Sequence, residues 1–72
     1  MNQQEITRLQ NYLRLKFGTD RIRLQPRKEV DDSVEVLLVD EFIGLIYKDE
    51  DEGEVSYDFN MAILEMDLAS AA

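Results

Sequence analysis

The chain has 72 residues, a net charge of −8 and no cysteine. Its length allows one small hydrophobic core, and the lack of cysteine excludes disulfide bonds and sulfur-ligated metal centres. The charge is unevenly divided: residues 1–28 carry seven basic and two acidic side chains, whereas residues 29–72 carry fourteen acidic side chains and one lysine. We therefore expect the two parts to pair within the fold, or one of them to meet a partner.

The amino-terminal residues 1–5 are polar and lack the basic start and apolar run of an export signal. No stretch approaches the roughly 18 apolar residues that a membrane span requires. We expect a cytoplasmic protein without membrane insertion. The acidic balance also opposes binding to nucleic-acid backbones and to anionic lipid surfaces.

The first predicted element is an amphipathic helix over residues 3–17. Asn2 and Glu5 form a capping-box pattern at its start, and Gly18 supplies the left-handed residue that commonly follows a helix. At about 100° per residue, one narrow sector of the helix collects four apolar residues: Ile6, Leu9, Leu13 and Phe17. This sector is expected to face the core.

After residue 20 the apolar period changes from about 3.6 to 2, which predicts β-strands. The first strand contains Ile22 and Leu24, and it is expected to end at Pro26 because proline cannot donate a hydrogen bond to the sheet. The polar run over residues 27–32 is predicted to be a loop.

A hairpin is predicted from strands at residues 33–39 and 42–48, with Asp40 and Glu41 in the turn. In this register Val36 lies opposite Leu45. Six apolar residues then line one face, the face expected to lie under the helix: Val34, Val36, Leu38, Ile43, Leu45 and Tyr47.

A fourth strand is predicted after an acidic connection at residues 50–54. Apolar residues alternate strictly at Val55, Tyr57, Phe59, Met61 and Ile63, and Tyr57 is expected opposite Tyr47. The chain should therefore fold as an α+β domain, with an N-terminal amphipathic helix packed on an antiparallel four-stranded sheet.

The apolar parity changes near the C-terminus, where Leu64, Met66 and Leu68 alternate instead. A β-bulge at residues 62–64 explains the change, and the extended strand then pairs with the first strand, setting Glu65 and Asp67 beside Arg21 and Arg23. A short terminal helix capped by Asn60 is the competing interpretation, because these residue types form helices well. We favour the strand, and we expect residues 1–68 to form the domain and residues 69–72 a frayed tail.

Several segments in combination resemble those of a known family. These are the Asp-Glu-Phe-Ile-Gly run at residues 40–44, the acidic stretch 49–54, Ser56-Tyr57 with Phe59, and Met-Ala-Ile-Leu at residues 61–64, preceded by a Gln-Glu-Ile helix and an Arg-Ile-Arg strand. The chain resembles a small alphaproteobacterial family of about this length whose function is unknown. The resemblance implies a complete small protein and no particular catalytic residue, ligand or partner.

Catalysis is difficult to assemble from these residues. The chain has no histidine, so the usual general base near neutral pH is missing, and no nucleophile has a suitable base at a suitable spacing. We expect no enzymatic activity, no catalytic residue and no cofactor.

The acidic stretch offers the best candidates for a metal site, since Ca²⁺ prefers several carboxylate oxygens in one turn. The candidates are Asp49, Asp51, Glu52 and Glu54. Their spacing departs from the EF-hand, because Gly53 falls at the fifth ligand position and Asn60 at the position of the bidentate glutamate. A solvated acidic turn is the simpler interpretation, with calcium binding as the alternative function.

Nucleic-acid binding would require the basic residues to share one surface. Only Arg21, Arg23, Arg27 and Lys28 are close enough in sequence to cluster, and no exposed aromatic residue lies between the arginines for base stacking. We do not expect a nucleic-acid partner.

The second face of the predicted sheet is unexpectedly apolar. It would carry Leu37, Val39, Phe42, Gly44, Ile46 and Ala62, and one helix cannot cover both faces. Gly44 would allow a neighbouring aromatic side chain or the backbone of a partner to approach closely. A contiguous apolar set around Phe42 predicts a protein interface, and hence a homodimer or an accessory subunit of a larger assembly.

Overall fold

The computed structural model describes residues 1–71. Helix α1 (Gln3–Phe17) is followed by strands β1 (Ile22–Arg27), β2 (Val30–Leu38), β3 (Glu41–Asp51) and β4 (Glu54–Asn60), and by a short helix α2 (Glu65–Ala71). The strands form one antiparallel sheet in the order β1-β2-β3-β4, and α1 packs on one of its faces. The predicted α+β architecture is therefore confirmed, with α2 as an additional element.

Helix α1 begins and ends where its sequence signals place it. The side chain of Asn2 accepts a hydrogen bond from the backbone N–H of Glu5, and the Glu5 carboxylate accepts one from the N–H of Asn2. Gly18 adopts the left-handed conformation, with φ of 65°. The buried sector is shorter than predicted, because Phe17 in the last turn is 55% exposed.

The first hairpin is tighter than the sequence suggested. β1 continues through Pro26, the turn consists of Lys28 and Glu29, and β2 already begins at Val30. The predicted loop over residues 27–32 is thus mostly strand. Pro26 is tolerated because β1 is an edge strand, where one side of the backbone needs no partner.

The turn between β2 and β3 lies one residue earlier than predicted. It consists of Val39 and Asp40, whose φ angles are 51° and 63°, and Leu38 is paired with Glu41. Positive φ at both central residues is the geometry of a type I′ turn, which matches the twist of a hairpin. The predicted turn at Asp40 and Glu41 is therefore wrong.

A β-bulge after the turn changes which side chains of β3 face α1. One extra residue, Ile43, forms a bulge, so that Leu37 pairs with Phe42 while Val36 pairs with Gly44. The predicted pair of Val36 with Leu45 is wrong by one residue. A slip of one residue exchanges the two faces of a strand, and Ile46 consequently lies in the core in place of Leu45.

The C-terminal part departs furthest from the prediction. Tyr57 lies opposite Lys48 rather than Tyr47, and β4 ends at Asn60 without pairing with β1. The favoured bulged strand is wrong. A terminal helix does form, but it begins at Glu65, so the competing interpretation holds for the type of element and not for its cap at Asn60.

The expected ion pairs between the C-terminal segment and β1 are absent from the part of the chain that the structure describes. Arg23 instead contacts Asp40 at 3.2 Å, and the Asp67 carboxylate accepts a hydrogen bond from the N–H of Leu64 at the start of α2. Residues 69–71 of the predicted tail belong to α2, and Ala72 lies outside the described residues.

The core lies between α1 and the central part of the sheet. Its seven buried members are Ile6, Leu13, Ile22, Leu24, Val34, Val36 and Ile46. Two hydrogen bonds hold α1 above β1: Arg14 Nε donates to the carbonyl of Ile22, and the N–H of Leu24 donates to the Gln10 side chain. Within residues 1–71, neither helix has the length and hydropathy needed to cross a membrane.

Candidate association surface

The six residues of the predicted interface do not share one surface. Gly44 and Ile46 face α1 and are buried. Val39 lies in the exposed β2–β3 turn, and Ala62 lies in the exposed segment beyond β4. Leu37 and Phe42 remain together as a cross-strand pair on the opposite face of the sheet. The one-residue change in register accounts for Gly44 and Ile46, whereas Ala62 is displaced because β4 ends at Asn60.

Gly44 is required by close packing inside the molecule. A Cβ atom at this position would lie 2.8 Å from Cε1 of Phe59 and closer still to the backbone carbonyl oxygen of Asn60. The predicted close approach of a neighbouring aromatic side chain is therefore confirmed, whereas the backbone that lies close to Gly44 belongs to Asn60 of the same chain and not to a partner. Gly44 lets the Phe59 ring cross β3 beneath α1.

The face of the sheet turned away from α1, which we call the open face, keeps an apolar centre. Leu37 pairs with Phe42 there, and Leu45 and Tyr47 follow on β3 by alternation. Phe42 is 54% exposed, whereas Leu37 is buried. Phe42 is thus the large side chain that this end of the open face presents to solvent.

A C-terminal arm extends beyond β4. We define it as residues 61–71, the connecting segment 61–64 together with α2. Every residue of the arm is exposed, and none of α2 is buried. Its five large apolar side chains are 52–69% exposed: Met61, Ile63, Leu64, Met66 and Leu68. The arm is therefore an apolar segment without a packing partner within residues 1–71.

Two grooves border this apolar surface. The first, which we call the end groove, has a volume of about 970 Å³ and lies between the arm and the start of β3, including Phe42. The second, the helix groove, has a volume of about 380 Å³ and separates α1 from β4. The helix groove exists because α1 lies over β1 and leaves the β4 half of the sheet partly uncovered.

The helix groove has an apolar floor and a polar rim. Ile46 and Phe59 form the floor, Leu9 lies along the α1 wall, and Arg8 and Tyr12 stand on the α1 rim. Arg8 is exposed and forms no ion pair with another side chain among residues 1–71. A groove of this composition suits an apolar segment that carries acidic residues.

A charged cluster closes one end of the helix groove. Lys48 Nζ lies 2.6 Å from the Glu5 carboxylate, and the Tyr57 hydroxyl donates to the same carboxylate at 2.8 Å. Lys48 also pairs with Glu50 at 2.9 Å. The cluster joins the first turn of α1 to β3 and β4, which holds the groove open in a fixed shape.

Protonation in this cluster follows from its hydrogen bonds. The bond from Lys48, assisted by those from Tyr57 and the Asn2 backbone, lowers the pKa of Glu5 to about 2. The bonds to Glu5 and Glu50 raise the pKa of Lys48, and the bond to Glu5 raises the pKa of Tyr57. At neutral pH Glu5 is ionised and Lys48 is charged, so the cluster is a structural ion pair rather than a proton-transfer site.

A comparison with family models identifies the family to which the chain belongs. Residues 5–67 match the family described as protein of unknown function (DUF3126). The chain belongs to the DUF3126 family. The match starts in the first turn of α1 and ends in α2, so the DUF3126 region includes the whole sheet and part of the arm. No curated protein and no solved structure matched the chain.

The candidate metal ligands of this DUF3126 chain lie at the tip of the β3–β4 hairpin. Glu52 and Gly53 form the turn, Asp49 and Asp51 belong to β3, and Glu54 begins β4. In the part of the chain that the structure describes, no three acidic, histidine or cysteine side chains converge as a metal site would require. Calcium binding therefore has no structural observation in its support.

The four basic residues considered for nucleic acid are partly engaged. Arg23 contacts Asp40 and Gln25, and Arg27 donates to the hydroxyl of Ser33 at 2.9 Å. Arg21 and Lys28 are exposed. Half of the set thus has partners inside this DUF3126 fold.

The sequence interpretation missed the arm and the helix groove. The change of parity at Leu64, Met66 and Leu68 was a signal for the arm, because it breaks the strand pattern where the sheet ends. From the sequence, only the capping role of Glu5 at the start of α1 could be predicted. Its contact with Lys48 and Tyr57, more than 40 residues away in the chain, depends on the tertiary fold.

Proposed function

We propose that this member of the DUF3126 family is a non-enzymatic, cytoplasmic association module that binds protein through apolar surface. It works as a homodimer or as an accessory subunit of a larger assembly. The alphaproteobacterial origin implied by the sequence resemblance is part of the same proposal.

The C-terminal arm is the observation that carries the proposal. Five large apolar side chains follow one another within eight residues, and all are more than half exposed. Contiguous apolar surface of this kind marks interaction sites, because a soluble chain gains nothing from leaving it in water. The radius of gyration supports a projecting arm: it is 13.4 Å, against about 11 Å for a compact chain of this length.

Phe42 extends the surface beyond the arm. It lines the end groove that the arm borders, and its cross-strand partner Leu37 supports it from β2. The contact surface that we propose comprises Leu37, Val39, Phe42 and the arm with Ala62. Gly44 and Ile46, which belong to the core, are left out.

The size of the native complex in cell extract tests the proposal. We expect the tagged full chain to elute well above the mass of one chain, and a variant with Met66→Asp and Leu68→Asp to elute as a monomer. Leu15→Asp is the matched control, because Leu15 is 85% exposed on α1, away from the arm. Elution of the wild type as a monomer, both in extract and after purification, would refute the proposed function.

Substitution of Phe42 separates association from folding. Phe42→Glu should lower the fraction of chains in the complex and leave the melting temperature within a few degrees of the wild type, because the side chain is 54% exposed. Loss of the folded state would instead place Phe42 in the core and remove it from the contact surface.

A further inference from the structure

The arm and the helix groove are complementary in polarity. Two acidic residues, Glu65 and Asp67, alternate with the apolar residues Leu64, Met66 and Leu68 in the arm. The helix groove offers an apolar floor and places Arg8 on its rim. An arm lying in this groove would bury its apolar side chains and bring a carboxylate to Arg8.

The arm does not occupy the groove of its own chain. None of its residues lines the helix groove, and the arm instead borders the start of β3. To enter its own groove the chain would have to reverse direction just after Phe59, which itself forms the groove floor. The arm projects instead, and the molecule measures 43 Å in its long dimension and 23 Å in the other two.

We propose that the arm of one chain docks into the helix groove of a second copy, and that the exchange is reciprocal. The inference rests on the proposed function and names the partner of its surface. Reciprocal exchange makes an isologous contact, in which each copy gives one arm and receives one, so the assembly closes as a dimer.

The area available is sufficient for a stable dimer. Each apolar side chain of the arm offers roughly 100 Å² for burial. Three such side chains per arm, with two arms and an equal area on the receiving grooves, bury about 1,200 Å². This area lies at the lower limit for specific protein interfaces. The ion-pair cluster of Glu5, Lys48 and Tyr57 keeps the groove preformed, which lowers the entropic cost of docking.

A pair of charge reversals gives a direct test. Arg8→Glu sets like charges in both contacts of the dimer, and so does Glu65→Arg. Each variant alone should dimerise roughly ten- to hundredfold more weakly than the wild type. In a dimer of one Arg8→Glu chain with one Glu65→Arg chain, both contacts again join opposite charges. The unchanged Glu65 of the first chain meets the unchanged Arg8 of the second, and the arginine that replaces Glu65 meets the glutamate that replaces Arg8. We expect the mixture to regain wild-type affinity.

The measurement is sedimentation equilibrium of the purified full chain from micromolar to about millimolar concentration. Lys16→Glu is the control, because it changes the net charge by the same two units as Arg8→Glu at an exposed position of α1 outside the helix groove. Restoration on mixing supports reciprocal exchange. Failure of the mixture to recover overturns it, and so does a wild type that stays monomeric over the whole range. A monomeric pure protein that still requires Met66 and Leu68 for its complex in cell extract would overturn only the second copy as partner and leave the proposed function standing.

Discussion

Truncation of two adjacent residues of β3 tests the register on which the surface assignment depends. Ile46→Ala and Leu45→Ala remove the same number of carbon atoms from neighbouring positions. Ile46 is 2% exposed under α1, whereas Leu45 lies on the open face and is partly exposed. The two changes should therefore have different costs although their chemistry is matched.

The cost at Ile46 combines transfer and cavity contributions. Three methylene equivalents at about 0.8 kcal/mol each give about 2.4 kcal/mol, and an enclosed cavity raises the loss of unfolding free energy to about 3–4 kcal/mol. At Leu45 no enclosed cavity forms, and partial exposure reduces the loss to about 1.5–2 kcal/mol. We expect Ile46→Ala to be the more destabilising by about 1–2.5 kcal/mol.

Urea unfolding followed by circular dichroism measures both values. The wild type should have about 4–11 kcal/mol of stability by its length, so Ile46→Val, at about 0.5–1.5 kcal/mol, provides a milder change if the alanine variant unfolds. A larger loss for Leu45→Ala than for Ile46→Ala would refute the register and return Leu45 to the core.

Four further outcomes are expected. Val39→Asn should raise the melting temperature by about 4–8 °C, since about 1 kcal/mol is gained when asparagine replaces a β-branched residue at positive φ; a decrease would contradict the turn. Gly44→Ala should cost about 1–3 kcal/mol in urea unfolding, because the added methyl group overlaps the neighbouring strand, and a neutral effect would show that β4 lies farther away. The pKa of Glu5 in the folded chain, about 2, lies below its ordinary value of 4.5, so the unfolded chain binds more protons between these two pH values. The wild type should therefore melt at a higher temperature than Glu5→Gln above about pH 4.5, and this difference should disappear as the pH falls to about 2. Calcium at millimolar concentration should leave the melting temperature unchanged, and a clear increase would indicate a site in residues 49–54.

Local sequence signals predicted α1 well. The capping box at Asn2 and Glu5 and the glycine at position 18 act within a few residues, so their effect does not depend on the remainder of the fold. The four-stranded α+β architecture was also accessible, because alternation of apolar residues is a strong indicator of strands.

The register of β3 could not be predicted in the same way. Asp40 and Glu41 form a more ordinary-looking turn than Val39 and Asp40, since a β-branched residue rarely adopts positive φ. The earlier turn sets Phe42 opposite Leu37 instead of Val39, a register shift of two residues, and the bulge at Ile43 removes one of the two. The remaining shift of one residue exchanges the faces of β3 from Gly44 onwards. Tertiary packing of Ile46 under α1 decides between registers that differ little in local preference.

The candidate surface was predicted only in part. Phe42 and Leu37 were placed together correctly, whereas Gly44 and Ile46 were assigned to the wrong face by the register error. The arm was obscured because Met61 and Ile63 continue the strand-like alternation past Asn60, so the change of parity comes only at Leu64, four residues after the last residue of β4.

The meander order of the sheet has a kinetic consequence. Each strand pairs only with the strands that precede and follow it in the chain, and short turns connect them. The three hairpins can therefore form one after another at a small entropic cost of loop closure. The long-range contacts that remain bring α1 over the finished sheet, and the contact of Glu5 with Lys48 and Tyr57 is one of them. Substitutions at Glu5 should then accelerate unfolding and leave the refolding rate nearly unchanged, as expected for a contact formed after the rate-limiting barrier.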